Sequence, residues 1–210
     1  MRVAIFGASG RTGQELLLQA LARSHEVTAV VRSPDAFEIR YDRLKVVAGD
    51  ALEGGSFARA LDGQDAVLSS LGVTGFVHSL QPMTFYERSA RAIIKQMRAC
   101  DVRRLVLISS VGVVHDRTAP LWYRTIVQPM LRHKYDDMKR MEAAVAASGL
   151  EWTVVRAARL VDASLTQRYR IGEDGGLPNI GAISRADLGS FVAEEAEDRA
   201  FVGRAVAISY

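Results

Sequence analysis

The chain has 210 residues, of which 49% are hydrophobic, and a formal net charge of +3. That length suits one domain with a full sheet core, and the composition excludes a disordered or fibrous chain. No apolar run reaches membrane-spanning length, the single Cys100 excludes an internal disulfide, and four scattered histidines show no metal-ligand spacing. Basic residues are spread along the chain. The short cluster Arg132, His133, Lys134 is soon followed by Asp136 and Asp137, so it reads as a solvated helix start rather than a nucleic-acid stripe. No metal, nucleic-acid or membrane partner is expected. With Met1 leading straight into a strand, no targeting peptide is expected either, and a reducing, cytoplasmic location fits the lone cysteine.

Val3, Ala4, Ile5 and Phe6 read as a buried strand. Gly7, Gly10 and Gly13 follow at strict spacing, and then Leu16, Leu17, Ala20 and Leu21 mark an amphipathic helix. Strand, glycine turn and helix N-terminus together form an anion site, because the first helical N–H groups lack partners within the helix. A side chain at Gly7 would obstruct the tight turn. One at Gly10 would obstruct a pyrophosphate, and one at Gly13 would hold the helix off the strand. The pattern and its flanks predict dinucleotide binding.

Glu26 to Val31 reads as the second strand, stopped by Pro34. An acidic residue at its end would accept hydrogen bonds from an adenosine ribose and repel a 2′-phosphate. Arg32 stands there instead, a cation suited to that phosphate, which favours NADP over NAD; Arg11 sits near the same phosphate. Asp35 is close enough to take the acidic role if the loop turns back. Leu44 to Ala48 is a third strand closed by Gly49 and Asp50, and Asp50 either contacts adenine or caps a helix that begins near Glu53 and buries Phe57, Ala60 and Leu61. Asp65 to Ser69 is the fourth strand, followed by the small turn Ser70-Leu71-Gly72.

A long helix is expected from about Thr84 to Cys100, and a fifth strand from Arg104 to Ser109 places Ser109 and Ser110 at a carboxyl end, where open α/β sheets bind ligands. Alternating strands and helices imply a parallel, doubly wound α/β sheet. Between Val111 and Leu131 the pattern loosens and stays apolar; a pocket floor, a subunit contact and a core helix remain open readings. A helix from about Lys134 to Ser148 carries Tyr135 and Lys139 four apart on one side. Glu151 to Arg156 is a sixth strand. Arg159 to Pro178 reads as irregular or hairpin structure, Ser184-Arg-Ala-Asp187 as a capping-box start to a last helix, and Arg204 to Ile208 as the final strand.

Taken together, Gly7-Ala-Ser-Gly10-Arg-Thr-Gly13, Val31-Arg32-Ser33, Gly49-Asp50, Ile108-Ser-Ser110, Ser148-Gly-Leu-Glu-Trp-Thr-Val-Val-Arg156 and Ile183-Ser-Arg-Ala-Asp-Leu188 resemble an atypical short-chain dehydrogenase/reductase. The subgroup it most resembles is the NAD(P)H-binding one that includes biliverdin reductase B (flavin reductase) and the NmrA-like proteins. The resemblance implies a single Rossmann domain over residues 1–210, with seven or eight strands and NADP(H) across the strand ends. Residues 157–184 would form a small substrate-side region. It also implies a pyrophosphate loop of Gly7, Ser9, Gly10, Arg11, Thr12 and Gly13, a 2′-phosphate contact at Arg32, an adenine-side Asp50 and a cofactor turn at Leu71 and Gly72. Ser109 and Ser110 would lie beside the nicotinamide, and Arg159 would fall where the flavin-reductase type has a substrate-side histidine. Two departures stand out. Arg156-Ala157-Ala158 replaces an Arg-Pro-Pro, and Tyr135-Asp-Asp-Met-Lys139 matches the Tyr-x-x-x-Lys of ordinary short-chain reductases.

Two chemistries follow from that second departure. With Tyr135 facing the cofactor, Lys139 would lower the phenol's pKa, Tyr135 would donate the proton and Ser110 would fix a substrate carbonyl. Without it, Tyr135 packs as a helix-start aromatic and Lys139 is an exposed helix lysine. A flavin-like acceptor could then still be reduced with a proton from water. The expected function is an NADPH-dependent reductase of a planar conjugated or carbonyl substrate. The alternatives are an NmrA-like sensor without turnover and a non-redox enzyme on the same fold. A homodimer is left open.

Overall fold

The computed structural model describes residues 1–73, 81–114, 125–126, 128–173, 177 and 179–210. Strands β1 (Arg2–Phe6), β2 (Glu26–Val31), β3 (Leu44–Ala48), β4 (Ala66–Ser69), β5 (Arg104–Ser110) and β6 (Glu151–Ala157) pair in parallel. With β10 (Arg204–Ser209) parallel to β6, and β8 (Arg170–Glu173) antiparallel at the edge, they form one eight-stranded sheet in the order β3-β2-β1-β4-β5-β6-β10-β8. This is the doubly wound α/β fold of Rossmann type. The strand order reverses between β1 and β4, which opens a crevice at their carboxyl ends.

Helices α1 (Arg11–Ala22) and α4 (Arg185–Asp198) cover one sheet face, burying Leu16, Leu17, Leu188, Phe191 and Val192 against Val3, Ile5 and Val206. Helices α2 (Phe85–Ala99) and α3 (Arg132–Ala146) cover the other, where Ile93, Met97, Met138 and Met141 pack with Phe6, Leu105 and Val154. The alternation Leu105, Leu107 on one side and Val106 on the other is the strand period placing successive residues in two cores. Among the described residues no helix is long and apolar enough to cross a membrane.

Two expectations need correction, and one open stretch is placed in part. The helix read through Phe57, Ala60 and Leu61 is only a one-turn helix, Gly54–Phe57, followed by the 3-10 turn Ala58–Ala60; two glycines at its start make a longer helix costly. The stretch after Arg159, read as irregular or hairpin, is irregular over residues 162–169 but not a hairpin, because β7 (Arg159–Val161) and β9 (Ala182–Ser184) pair in parallel as a separate two-stranded sheet, with β8 between them in sequence. In the apolar 111–131 stretch, Val111–Val113 is a 3-10 turn and Gln128–Met130 one helical turn. Pro120, Trp122, Tyr123 and Val127 lie outside the described residues, as do Gly175, Gly176 and Pro178 of the tail.

Asp187 ties that tail down. Ser184 caps α4 by accepting from the Asp187 N–H at 2.9 Å. The fully buried Asp187 carboxylate accepts from the Thr166 N–H (2.8 Å) and hydroxyl (2.9 Å), the Gln167 N–H (2.6 Å), the Ser184 hydroxyl (3.0 Å) and the Tyr210 phenol (2.6 Å). Burial alone would raise its pKa, but the donors from Tyr210, Gln167 and Thr166 overcome that and hold the carboxyl below the ordinary range. We expect Asp187→Asn to set an amide against these donors and to lower stability by about 3 kcal/mol, read as the shift in urea midpoint. A carboxyl lowered in the folded state stabilises fully above its unfolded pKa and loses that contribution as pH falls through the folded value. The gap between wild type and Asp187→Asn should therefore hold from neutral pH to about pH 4 and shrink only below it.

Candidate functional site

The crevice is built from backbone first. Gly7 leaves β1 with φ of +83°, a conformation that favours glycine, and a Cβ there would lie 2.8 Å from the Ser70 carbonyl. A Cβ at Gly13 would fall 1.9 Å from the Gly7 carbonyl oxygen, so α1 can pack on this turn only without a side chain. At Gly10 a Cβ would meet only the Gly7 oxygen at 3.4 Å, and the space beyond is open to a ligand. Gly10 is the N-cap of α1 and supplies no side-chain cap, so the first N–H groups of a 12-residue helix face the cleft. Free N–H groups, the helix dipole and absent side chains make a site for phosphate oxygens. The residues present fit a dinucleotide.

The cleft, about 740 Å³, is lined by Gly7, Ser9, Gly10, Arg11, Thr12, Gly13, Arg32, Asp50, Leu71 and Gly72, all expected from the sequence. Arg32 is exposed beyond the end of β2 and has no ion pair among the described residues. Asp35 lies in the 3-10 turn Pro34–Ala36, exposed and away from the cleft lining. Asp50 accepts the Leu52 N–H at 2.9 Å, closing its own turn, while Glu53 is the N-cap of the short helix. Capping in the strict sense is thus not its role. At the other edge Arg11 Nη1 lies 2.9 Å from Asp162 Oδ2, and Arg185 Nη1 lies 2.5 Å from Asp162 Oδ1.

A buried carboxylate positions the wall opposite. Thr84, the N-cap of α2, makes no side-chain cap. Asp137 of α3, fully buried, does so from across the helix pair, accepting from the Tyr86 N–H at 2.9 Å and the Glu87 N–H at 3.3 Å. Arg140 bridges Asp137 (3.2 Å), Glu87 (3.0 Å) and the Met83 carbonyl (2.9 Å). The α2 start so fixed places Phe85 on the cleft, and the Tyr86 hydroxyl accepts the Val73 N–H at 3.2 Å. Burial pushes the Tyr86 phenol above its ordinary pKa, keeping it neutral while it holds the Leu71-Gly72-Val73 turn.

The remaining expected residues fall in three places. Ser110 ends β5 off the cleft lining, and its hydroxyl oxygen accepts the Gly112 N–H at 3.2 Å, which leaves the hydroxyl proton without an acceptor among the described residues. The Tyr135 ring covers Gly112 so closely that a Cβ there would lie 2.3 Å from Cζ, so Ser110 and Tyr135 meet at one turn. Ser109 points to the opposite sheet face; it is buried and donates to Glu142 at 2.5 Å, and Arg156 grips the same carboxylate at 2.7 Å. Ser109 thereby fastens α3 to the sheet and does not line the cleft. Lys139 is also elsewhere: its Nζ lies 3.8 Å from Asp136, exposed, and it lines a separate groove with Val113, Val114 and Trp152. Arg159 is exposed at the start of β7, paired in register with Ala182 and off the cleft lining.

Sequence reasoning missed Phe85, Arg185 and Asp162. Arg185 had a usable signal, since it follows the Ser184 cap and so begins a helix at the ligand edge of the sheet. Asp162 had none, because only the parallel pairing of β7 with β9 brings it there.

Comparison with known proteins agrees with this geometry. A family profile described as NAD(P)H-binding matches residues 7–199. The uncharacterized protein YwnB of Bacillus subtilis is 26% identical over 209 residues, covering 94% of this chain and 92% of that one. The oxidoreductase ylbE of Lactococcus lactis superposes with a TM-score of 0.81 at 18% identity, over 100% of this chain and 90% of its own. A Veillonella parvula short-chain dehydrogenase/reductase in complex with NADP gives 0.80 at 17% identity, over 100% and 94%. Cleft, fold and profile coincide on one statement: the chain belongs to the NAD(P)H-binding family of Rossmann-fold proteins.

Proposed function

We propose that this protein is an NADPH-dependent reductase of a planar conjugated or carbonyl acceptor, in the subgroup that resembles biliverdin reductase B. The observation that carries the reading is the glycine-lined cleft with Arg32, unpaired among the described residues, at the end of β2; Ser110 stands at the carboxyl end of β5, outside that lining. Relatives give it support: a Streptococcus pneumoniae protein of similar fold is one for which NADH-flavin reductase activity has been proposed. The bound dinucleotide supplies a hydride. The chain's own residues hold and orient it. The α1 N–H groups and Arg11 take the pyrophosphate, Arg32 takes the 2′-phosphate, and the Leu71–Val73 turn lets the ribose side pass close to backbone.

Proton handling falls to Ser110 and water. Ser110 has a proton free to hydrogen-bond an acceptor oxygen, and Tyr135 stands beside the same turn. Lys139, paired with Asp136, is not placed to stabilise a phenolate, so the ordinary Tyr–Lys relay is absent from this reading. An acceptor that delocalises the incoming charge, flavin-like and conjugated, needs no such relay. Residues 157–184, carrying β7 to β9, would border the acceptor. We further propose that the acceptor is a small molecule, that neither nucleic acid nor membrane is a partner, and that the protein works in the cytoplasm, with self-association as a homodimer compatible with this. The placement of Lys139 also favours the second reading, an NADP(H) sensor of the NmrA-like kind without turnover.

Incubation with NADPH and FMN, or with dichlorophenol-indophenol, followed by nicotinamide absorbance, separates the two: oxidation is expected, and tight NADP binding with no oxidation supports the sensor. Ser110→Ala should slow oxidation about tenfold or more, as loss of a positioned hydroxyl does, whereas Lys139→Ala should leave the rate near wild type. Arg32→Glu should weaken NADPH binding by about two orders of magnitude and NADH binding far less; equal losses would remove the phosphate contact.

A further inference from the structure

Helices α1 and α4 run antiparallel to the parallel strands, so both begin at the edge where the dinucleotide is proposed to lie. They touch backbone to backbone: a Cβ on Gly189 would lie 2.8 Å from the Leu16 nitrogen. One turn nearer the edge from that contact stand Arg185 and Thr12, and beside Thr12 stands Arg11, all on the cleft wall. The start of α4 is not itself an open anion site, because Ser184 and the buried Asp187 already occupy it. Only the side chain of Arg185 is left to face a ligand there.

We propose that Arg185 is a pyrophosphate ligand, the second cation beside Arg11 and one that serves NAD(H) and NADP(H) alike. This rests on the dinucleotide reading of the cleft. Arg185 is 12% exposed against 73% for Arg11, so its stem is already ordered by packing and little rotamer freedom is lost on binding. Asp162 pairs with both guanidinium groups, at 2.5 Å and 2.9 Å. It holds Arg185 at the cleft, while its own 65% exposure makes the contact to the exposed Arg11 a weak surface pair. A pyrophosphate carries two charges where Asp162 carries one, and its oxygens match a guanidinium fork. Arg11 thus exchanges Asp162 for phosphate on binding, and Arg185 meets the ligand from the side of the tail.

The test is equilibrium binding of NADP, NAD and 2′-AMP, which carries the 2′-phosphate without a pyrophosphate, to wild type, Arg185→Met, Arg185→Lys and Arg32→Glu. Arg185→Met should lose about tenfold or more in affinity for NADP and NAD equally and keep that for 2′-AMP, while Arg185→Lys recovers part of the loss. Arg32→Glu should show the converse, losing NADP and 2′-AMP and sparing NAD. Retained 2′-AMP binding shows that the variant is folded. Wild-type affinity of Arg185→Met for NAD, or equal losses in the Met and Lys variants, overturns the proposal. If wild type binds neither dinucleotide, the dinucleotide reading itself falls, a result distinct from failure of Arg185 alone.

Discussion

Helix α1 lies so close to the turn it follows that a single added carbon at Gly13 would sit 1.9 Å from the Gly7 oxygen. On its other side Gly189 lets α4 approach until an added carbon there would lie 2.8 Å from the Leu16 nitrogen. The helix is therefore fixed between two backbone contacts, with no side chain available to relax either one. Its N-terminus is aimed before any ligand arrives, and the N–H groups there need no reorganisation to meet phosphate oxygens. Everything assigned to the cleft depends on this placement, because Ser9, Arg11 and Thr12 are positioned by the same turn.

The opposite wall is held by polar contacts between helices. Asp137 caps α2 from α3, and through Tyr86 that cap reaches the Val73 N–H on the cleft turn. Glu142, one helical turn and a residue further along α3, draws Ser109 and Arg156 to the same helix. Burying such carboxylates is costly unless each finds donors, and both do. The consequence for the Tyr135–Lys139 spacing is direct. Asp137 must face α2 and Glu142 must face β5 and β6, which fixes the rotation of α3. Tyr135 is then turned onto Gly112 and Lys139 out to the flank beside Asp136.

Much of this was legible in the chain. The glycine spacing, Arg32 and the turns after β3 and β4 named ten residues that line the cleft, because each depends on strand ends and local turn chemistry. Helix ends at Phe85, Ala99 and Ala146 lay within a residue or two of expectation for the same reason. What was not legible depends on rotation and long-range pairing. A Tyr-x-x-x-Lys string fixes which residues share a helix side but not which way that side faces. Nor does any local pattern tell that Arg159–Val161 pairs in parallel with Ala182–Ser184, the step that brings Asp162 to Arg11.

The two ends of the crevice are thus made differently, and that difference bears on what each can tolerate. The nucleotide end is backbone and glycine, so its shape is set by collisions that few substitutions could accommodate. In the proposed reading the acceptor end is assembled from the Ser110–Gly112 turn, the first turn of α3 and the tail anchored by Asp187. Those anchors act at a distance from the acceptor, fixing where its walls stand without fixing which side chains line them. On the same reading, substitutions there would alter acceptor choice while Asp137 and Asp187 keep the frame. A chain so divided would, on that reading, retain its hydride source through changes of substrate, so that the fold and cofactor class follow from the cleft while the acceptor is left to the few side chains around Ser110 and Tyr135.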